Sequence, residues 1–471
     1  MAKAKGCSHA APGKFGKLFG LPGLDVNEAE AEALAGPGSP MHDANNSSPD
    51  SPLPSGYTFF AQFVDHDITL DTTTDLHGQP LSNKAISKLP NLRTASLDLD
   101  CVYGFGPEAS PHLYDPDAPG RLLEGNVHNP NDVPRNESGT ALIGDPRNDE
   151  NIFVSQMQLL WIRFHNAMYD QHIAKYGAGD RFEETQKQVR YHYQFIVLHD
   201  FLWRVCDSKT FLFALERLNQ GQYPLFNTLA NNPNGAMPVE FSVAAYRFGH
   251  TLVRSRYAVN GRYPDIDLFD ERFGTEGFSF VPPKLTVDWR FLLEVDACIP
   301  PVMGKAFDEK LADELIRLPD PIVGRSTSDN DRSLAFRNIL RGNVLALPCG
   351  QAVAQALAEK GYPVDPDADL QLAEGLNVQD CSVLKRFVDE TPLFYYILRE
   401  ANILGQGERL GPVGSAIILE VFLGMLINCK TSFLKEDDWL PATCVKGDDD
   451  SRFELADIVR FTNSCKLAPT A

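Results

Sequence analysis

No apolar run in this sequence reaches membrane-spanning length. The longest, "GSAIILEVFLGMLINC" (414–429), falls short of about 20 residues and contains Glu420. The opening stretch, "MAKAKGCSHAAPGKFGKLFG", is basic but has no continuous apolar centre, so it reads as a poor secretory signal. A cytoplasmic address is the expectation, with leaderless export as the alternative. The nine cysteines are scattered, without a CxxC pair or a CxxCH segment. That spacing argues against a disulfide scaffold, a paired-cysteine zinc site and thioether haem attachment. Basic residues are in deficit, 43 Lys and Arg against 63 Asp and Glu for a formal charge of −20, which argues against a general nucleic-acid binder. Strand-like alternation is scarce, and no internal repeat is found.

What the sequence does hold is helical spacing across 471 residues that are 43% hydrophobic and 10% aromatic, the composition of a globular protein. Residues 1–55 are rich in Ala, Gly, Pro, Ser and Asn without periodicity, and an extended or poorly ordered arm is expected there. From residue 56 to 471 the reading is a single large, mostly α domain with few short strands. Long amphipathic helices are expected over 152–177 and 181–206, a further one over 414–429, and a last one over about 452–462 after the charged loop "KGDDDS". Pro-rich loops separate them at 108–119, 129–134 and 319–322.

The stretch "FFAQFVDHDITLD" (59–71) sets two aspartates around a histidine in an aromatic run. On a helix, Gln62, Asp65, His66 and Thr69 share one face and Asp67 points elsewhere. Buried unpaired charges cost several kcal/mol, so these groups need partners. In "RTASLDLDCVYG" (93–104), Thr94, Ser96, Asp98 and Asp100 recur at every second residue. That spacing suits a loop wrapping a hard cation such as calcium, to which Asp67 would add a carboxylate, and equally suits an acidic turn without an ion. "IGDPRNDEN" (143–151) sets Arg147 and Glu150 three apart, and "AAYRFGHTLVRS" (244–255) does the same for Arg247 and His250. An arginine beside a histidine suggests an anionic group next to whatever the histidine holds.

Taken in order, "QFVDHD", "TASLDLDCVYG", "GDPRNDE", "YRFGHT" and "LAFRNILRGNVLALP" (334–348) resemble the motifs of the animal-type haem peroxidases, within the peroxidase–cyclooxygenase superfamily. The resemblance runs from about 56 to 460 and implies haem b between distal and proximal core helices, together with calcium. It implies that His66, Arg147 and Gln62 are the distal catalytic residues and that His250 is the proximal iron ligand. Asn338 would be the hydrogen-bonded partner of His250, and Arg247 the partner of a haem propionate. Asp65 and Glu150 would be the carboxylates that form esters with haem. Asp67, Thr94, Ser96 (through its carbonyl), Asp98 and Asp100 would be the calcium ligands. Asn151 stands where some members carry a methionine bonded to haem through sulfur, so that link and efficient chloride oxidation are not expected.

The expected function is peroxidase chemistry: hydrogen peroxide cleaved on ferric haem and small donors such as phenols, bromide, iodide or thiocyanate oxidised. A fatty-acid dioxygenase of the same superfamily is the first alternative. Such enzymes place a tyrosine three residues before the proximal histidine, where this chain has Arg247; Tyr246, one step back, is expected to face away from haem. A non-catalytic haem- and calcium-binding protein is the second alternative. His165, His192 and His199 are read as core or cap histidines.

Overall fold

A computed structural model describes residues 13–172, 181–222, 236–323, 328–446 and 452–467. The helix Gly56–Ile68 is its centre: every side chain in it except Gln62 is buried. Few helices can bury all round; this one does because its aromatic residues meet aromatic neighbours on every side. Phe60 and Phe63 stack on Trp161, with ring centroids 6.2 and 6.1 Å away, and both meet Tyr193 edge-on. Phe59 stacks on Phe153 at 4.6 Å. Trp161 belongs to the helix Ile152–His172 and Tyr193 to Arg181–Ile196, so two long helices hold the central one in position.

The helix expected over 181–206 changes pitch partway. A π-helical turn, Val197–Phe201, precedes a last α-helical turn at Leu202–Val205. Within it, Asp200 accepts from Tyr57 Oη at 2.6 Å, Arg204 Nε at 2.7 Å and the backbone N–H of Leu455 at 2.8 Å. The last contact satisfies a free N–H at the start of the helix Leu455–Leu467. Glu400, fully enclosed, likewise accepts from the N–H groups of Val413 and Gly414 at the start of Pro412–Asn428, an apolar helix buried along most of its length. The charged loop "GDDDS" lies outside the described residues.

Strands are short. The arm expected over the first 55 residues is, from Gly13 onward, part of the fold. Gly13–Gly16 pairs antiparallel with Pro90–Asn91 and parallel with Ala236–Pro238. The helix Glu28–Ala35, capped by Asn27 and Glu30, buries Ala31 and Leu34. Phe15, Leu18, Phe19 and Met41 are also buried. The segment shows no periodicity because its order comes from distant partners: buried Glu240 accepts from the N–H groups of Leu18 and Phe19. Residues 1–12 lie outside the described residues.

Trp161 is fully buried and forms one wall of the seat for the central helix. Trp161→Ala is expected to cost about 3–5 kcal/mol in chemical denaturation, through lost burial and the cavity left behind. A loss below about 1 kcal/mol would mean that the seat repacks without it.

Candidate haem and cation site

The edge of the central helix that carries Gln62 and the short segment Ala245–His250 face one another across a cavity of about 330 Å³, within the usual range of small-ligand sites. The segment is 3₁₀-helical, with three residues per turn, so Arg247 and His250 align along one side. Gln62, Asp65, His66, Arg147, Glu150, Asn151, Arg247 and His250 all line the cavity. The residues singled out by the resemblance thus converge in space from three separate segments.

On the distal side, His66 Nδ1 lies 2.7 Å from Asn148 Oδ1, and Asn148 Nδ2 donates to Gln158 Oε1 at 2.8 Å. The second bond fixes the Asn148 amide, so its oxygen faces the ring and His66 carries its proton on Nδ1. Nε2 is left as the basic nitrogen. Burial, and then Arg147, push His66 down to about 4, so it is neutral above that pH. Arg147 donates through Nη2 to the carbonyls of His66 and Thr69, at 3.0 and 2.7 Å, and to Asp145 Oδ2 at 2.7 Å. A guanidinium thus closes the C-terminal end of the helix that carries His66, where positive charge is favoured. Its Nη1 has no protein partner among the described residues.

Gln62 Nε2 donates to Glu150 Oε2 at 3.1 Å. Burial pushes Glu150 up to about 7, with Arg147 opposing. Asp65 differs: burial raises it, but Arg247, His66 and Arg147 outweigh that and hold it below the ordinary carboxylate value. Its Oδ1 accepts from Thr69 Oγ1 at 3.0 Å, and its Oδ2 lies 3.5 Å from Arg247 Nη1.

On the proximal side, burial pushes His250 down to about 3, which keeps the ring neutral and able to bind metal. The Asn338 amide meets it with Nδ2, 3.0 Å from Nδ1. The expected donation from Nδ1–H to Oδ1 is the reverse orientation. The two differ by a half-turn of a planar amide, and ligation through Nε2 requires the latter. Tyr246 also departs from expectation, because it lines the cavity. Its hydroxyl is buried without a partner among the described residues, and its ring stacks on Phe241 at 4.9 Å. In a 3₁₀ turn Tyr246 aligns with Gly249, whose side faces the central helix: a Cβ there would meet only the Ala61 Cβ, at 3.9 Å.

Behind the distal helix, Asp67, Asp98 and Asp100 bring carboxylate oxygens within 4.8 Å of one another. Burial, and then repulsion from Asp98, push Asp67 up to about 7. Asp67 Oδ1 and Asp98 Oδ1 are buried without partners, which is the donor set a hard cation satisfies. Thr94 Oγ1 donates to Asp98 Oδ2 at 2.9 Å. Ser96 turns its hydroxyl to Cys429 Sγ, which leaves its carbonyl as the group it can offer. Leu99, between two of the aspartates, has φ +58°, a strained backbone of the kind found at binding sites.

Sequence reading passed over Asn148, Gln158, Asp145 and Arg93, which hold the distal residues in place. One of them had a signal. Asp145 precedes Pro146 at the start of the turn Pro146–Asp149, and its side chain accepts from the Arg147 N–H, a helix-start pattern.

Residues 78–273 match the family model of the animal haem peroxidases. A stretch of 183 residues is 31% identical to the probable oxidoreductase PXDNL of Homo sapiens, covering 35% of this chain and 12% of that protein. Another of 140 residues is 31% identical to the chorion peroxidase of Drosophila melanogaster, covering 28% and 17%. The chain therefore spans a small part of either relative. Peroxidase A of Dictyostelium discoideum superposes with a TM-score of 0.60 over 90% of this chain and 87% of that one, at 15% identity. A fatty acid alpha-dioxygenase of Oryza sativa superposes with 0.58 over 88% and 76%, also at 15%.

The architecture, mostly helical with few short strands, is the fold that these two structures share with this chain. Residues 78–273, which include Arg147, Glu150, Arg247 and His250, are similar to the animal haem peroxidase family, and haem binding is what that family implies. The cavity fits that group: a neutral histidine on each side, a guanidinium at the edge and an unpartnered phenol in the wall. No helix among the described residues is long and apolar enough to cross a membrane.

The neutrality of His66 is open to direct measurement. Its folded value lies below the ordinary 6.5, so the stability it confers is intact above about pH 6.5 and is lost as pH falls toward 4. In an NMR titration of haem-free protein, the ring signals absent from His66→Ala are expected to move near pH 4. A midpoint above 6 would contradict this environment.

Proposed function

We propose that the protein is a peroxidase, using hydrogen peroxide to oxidise small electron donors such as phenols, bromide, iodide or thiocyanate. The observation that supports this most is His66, its Nδ1–H taken by Asn148 and its Nε2 left basic, on the cavity that His250 lines from the other side. Haem, when bound, would supply the redox chemistry, reducing peroxide by two electrons and recovering them singly from two phenol molecules or as a pair from one bromide, iodide or thiocyanate. The neutral His66 Nε2 accepts a proton from peroxide and passes it to the departing oxygen, which leaves as water. Arg147 Nη1 offers a charged donor to the negative charge growing on that oxygen. Gln62, which donates to Glu150 and accepts from Asn151, would hold water or a halide beside the iron. His250 binds the iron, and Asn338, turned to present its oxygen, fixes its tautomer.

We further assign calcium to Asp67, Asp98 and Asp100 with Thr94 and the Ser96 carbonyl, and ester links to Asp65 and Glu150. In forming each ester, a carboxylic acid and a ring methyl group lose one hydrogen apiece to one peroxide, which leaves as two waters.

Haem-loaded protein is expected to shift its Soret band with a small excess of peroxide and to retain haem through acidified ketone extraction. Asp65→Ala with Glu150→Ala should release the haem. His66→Ala should keep haem and lose about 10²–10⁴-fold in the rate of peroxide cleavage. Peroxide left unconsumed by wild-type holoprotein would favour the haem-binding alternative and overturn this reading. One observation keeps the dioxygenase alternative in play: the free Tyr246 hydroxyl in the cavity wall. Oxygen uptake with palmitic acid that disappears in Tyr246→Phe would establish it; no uptake in the wild type favours the peroxidase.

A further inference from the structure

The cation cluster and the distal arginine are joined by a row of alternating charges. Asp100, the third carboxylate of the cluster, lies 3.4 Å from Arg93 Nη1. Arg93 Nε donates to Asp145 Oδ2 at 2.8 Å, and its Nη2 donates to the Gly144 carbonyl at 3.0 Å. Asp145 Oδ2 also receives Arg147 Nη2 at 2.7 Å, while its Oδ1 receives Arg147 Nε at 3.1 Å and the Arg147 backbone N–H at 2.9 Å. The Arg93, Asp100 and Asp145 side chains are only 11%, 19% and 0% exposed, so solvent screens this row weakly.

A second connection runs beside the first. The carbonyl of Cys101, the residue after Asp100, accepts from the Gly144 N–H at 3.0 Å and from Gln158 Nε2 at 3.2 Å, and Gln158 holds the Asn148 amide that holds His66. The two backbones touch: a Cβ on Gly144 would lie 2.5 Å from the Cys101 oxygen. Segment 100–101 therefore belongs to the cation site and to the support of both distal residues.

We propose that divalent-cation occupancy of the Asp67–Asp98–Asp100 cluster is transmitted through Arg93 and Asp145 to Arg147, so that the cation strengthens anion binding beside the iron. Without a cation, Arg93 is the positive charge that Asp100 faces directly. With one, the Asp100 charge is shared, and Arg93 turns more of its own toward Asp145. Arg93 and Arg147 compete for the same oxygen, Asp145 Oδ2. A firmer hold by Arg93 loosens Arg147 from it and frees guanidinium donors for the cavity. Arg93 and Asp145 are positioning residues here, acting through Arg147.

This inference rests on the peroxidase reading for its haem, so its test separates the two. Fluoride, a simple anion, is titrated into the haem-loaded ferric protein by its Soret shift, with calcium or with a chelator. Calcium is titrated calorimetrically with and without fluoride. The expected results are calcium binding and a fluoride affinity at least about fivefold tighter in its presence. Fluoride should tighten calcium by the same factor, because coupling is reciprocal. In Arg93→Gln both ligands should still bind while the factor falls to about one; in Arg93→Lys, which keeps the charge but not the fork, it should be intermediate.

A protein that takes up no haem sinks the peroxidase reading itself. Haem uptake with no calcium binding, with calcium binding but no coupling, or with full coupling retained in a folded Arg93→Gln overturns the relay and leaves the peroxidase reading intact. If Arg93→Gln does not fold, Arg93→Lys decides alone, and a factor unchanged from wild type overturns the relay.

Discussion

Asp145 has left water entirely, and it accepts from two guanidiniums at once. A carboxylate in that position must find cations or give up its charge. Arg93 and Arg147 draw it well below the ordinary carboxylate range despite its burial. Arg147 in turn is bonded to the last carbonyls of the helix that carries His66. The separation of distal arginine and distal histidine is therefore set by one ion-paired carboxylate and one helix end, both buried deeply enough that neither can drift.

The same constraint is met differently at each acidic group around the cavity. Asp65 remains charged because Arg247 and Arg147 flank it and the Thr69 hydroxyl donates to it. Glu150 has fewer cations and is driven toward its neutral form. Asp67, Asp98 and Asp100 repel one another, and among the described residues Arg93 and Arg190 are the cations that oppose this. Three carboxyls therefore still require either protons or a cation. The buried histidines, by contrast, are kept neutral by burial on both sides of the cavity. That is the state in which imidazole acts as a base or as a metal ligand.

Much of this was legible in the sequence, and the failures have physical causes. The long helices were visible because their apolar residues recur at helical spacing. The candidate site residues were picked out by five motifs in one order, since each segment alone reads equally as a satisfied core histidine or an acidic turn. The segment after Gly13 was misread because its burial is supplied by residues more than two hundred positions away, and periodicity reports only local order. Tyr246 was misplaced because a 3₁₀ turn puts successive side chains about 120° apart and aligns every third one. Asn148 and Gln158 carried no signal: an amide that orients another residue looks, in a sequence, like any other amide.

The pairing of Gly13–Gly16 with Ala236–Pro238 has a consequence for synthesis. A ribosome adding about 5–20 residues per second needs on the order of ten to forty seconds to travel between the two strands. During that interval the backbone of Leu18 and Phe19 has no partner, since Glu240, which accepts their N–H groups, does not yet exist. A segment made more than two hundred residues before its partner is among the last to settle, and its aromatic residues are the natural place for a chaperone to hold the nascent protein.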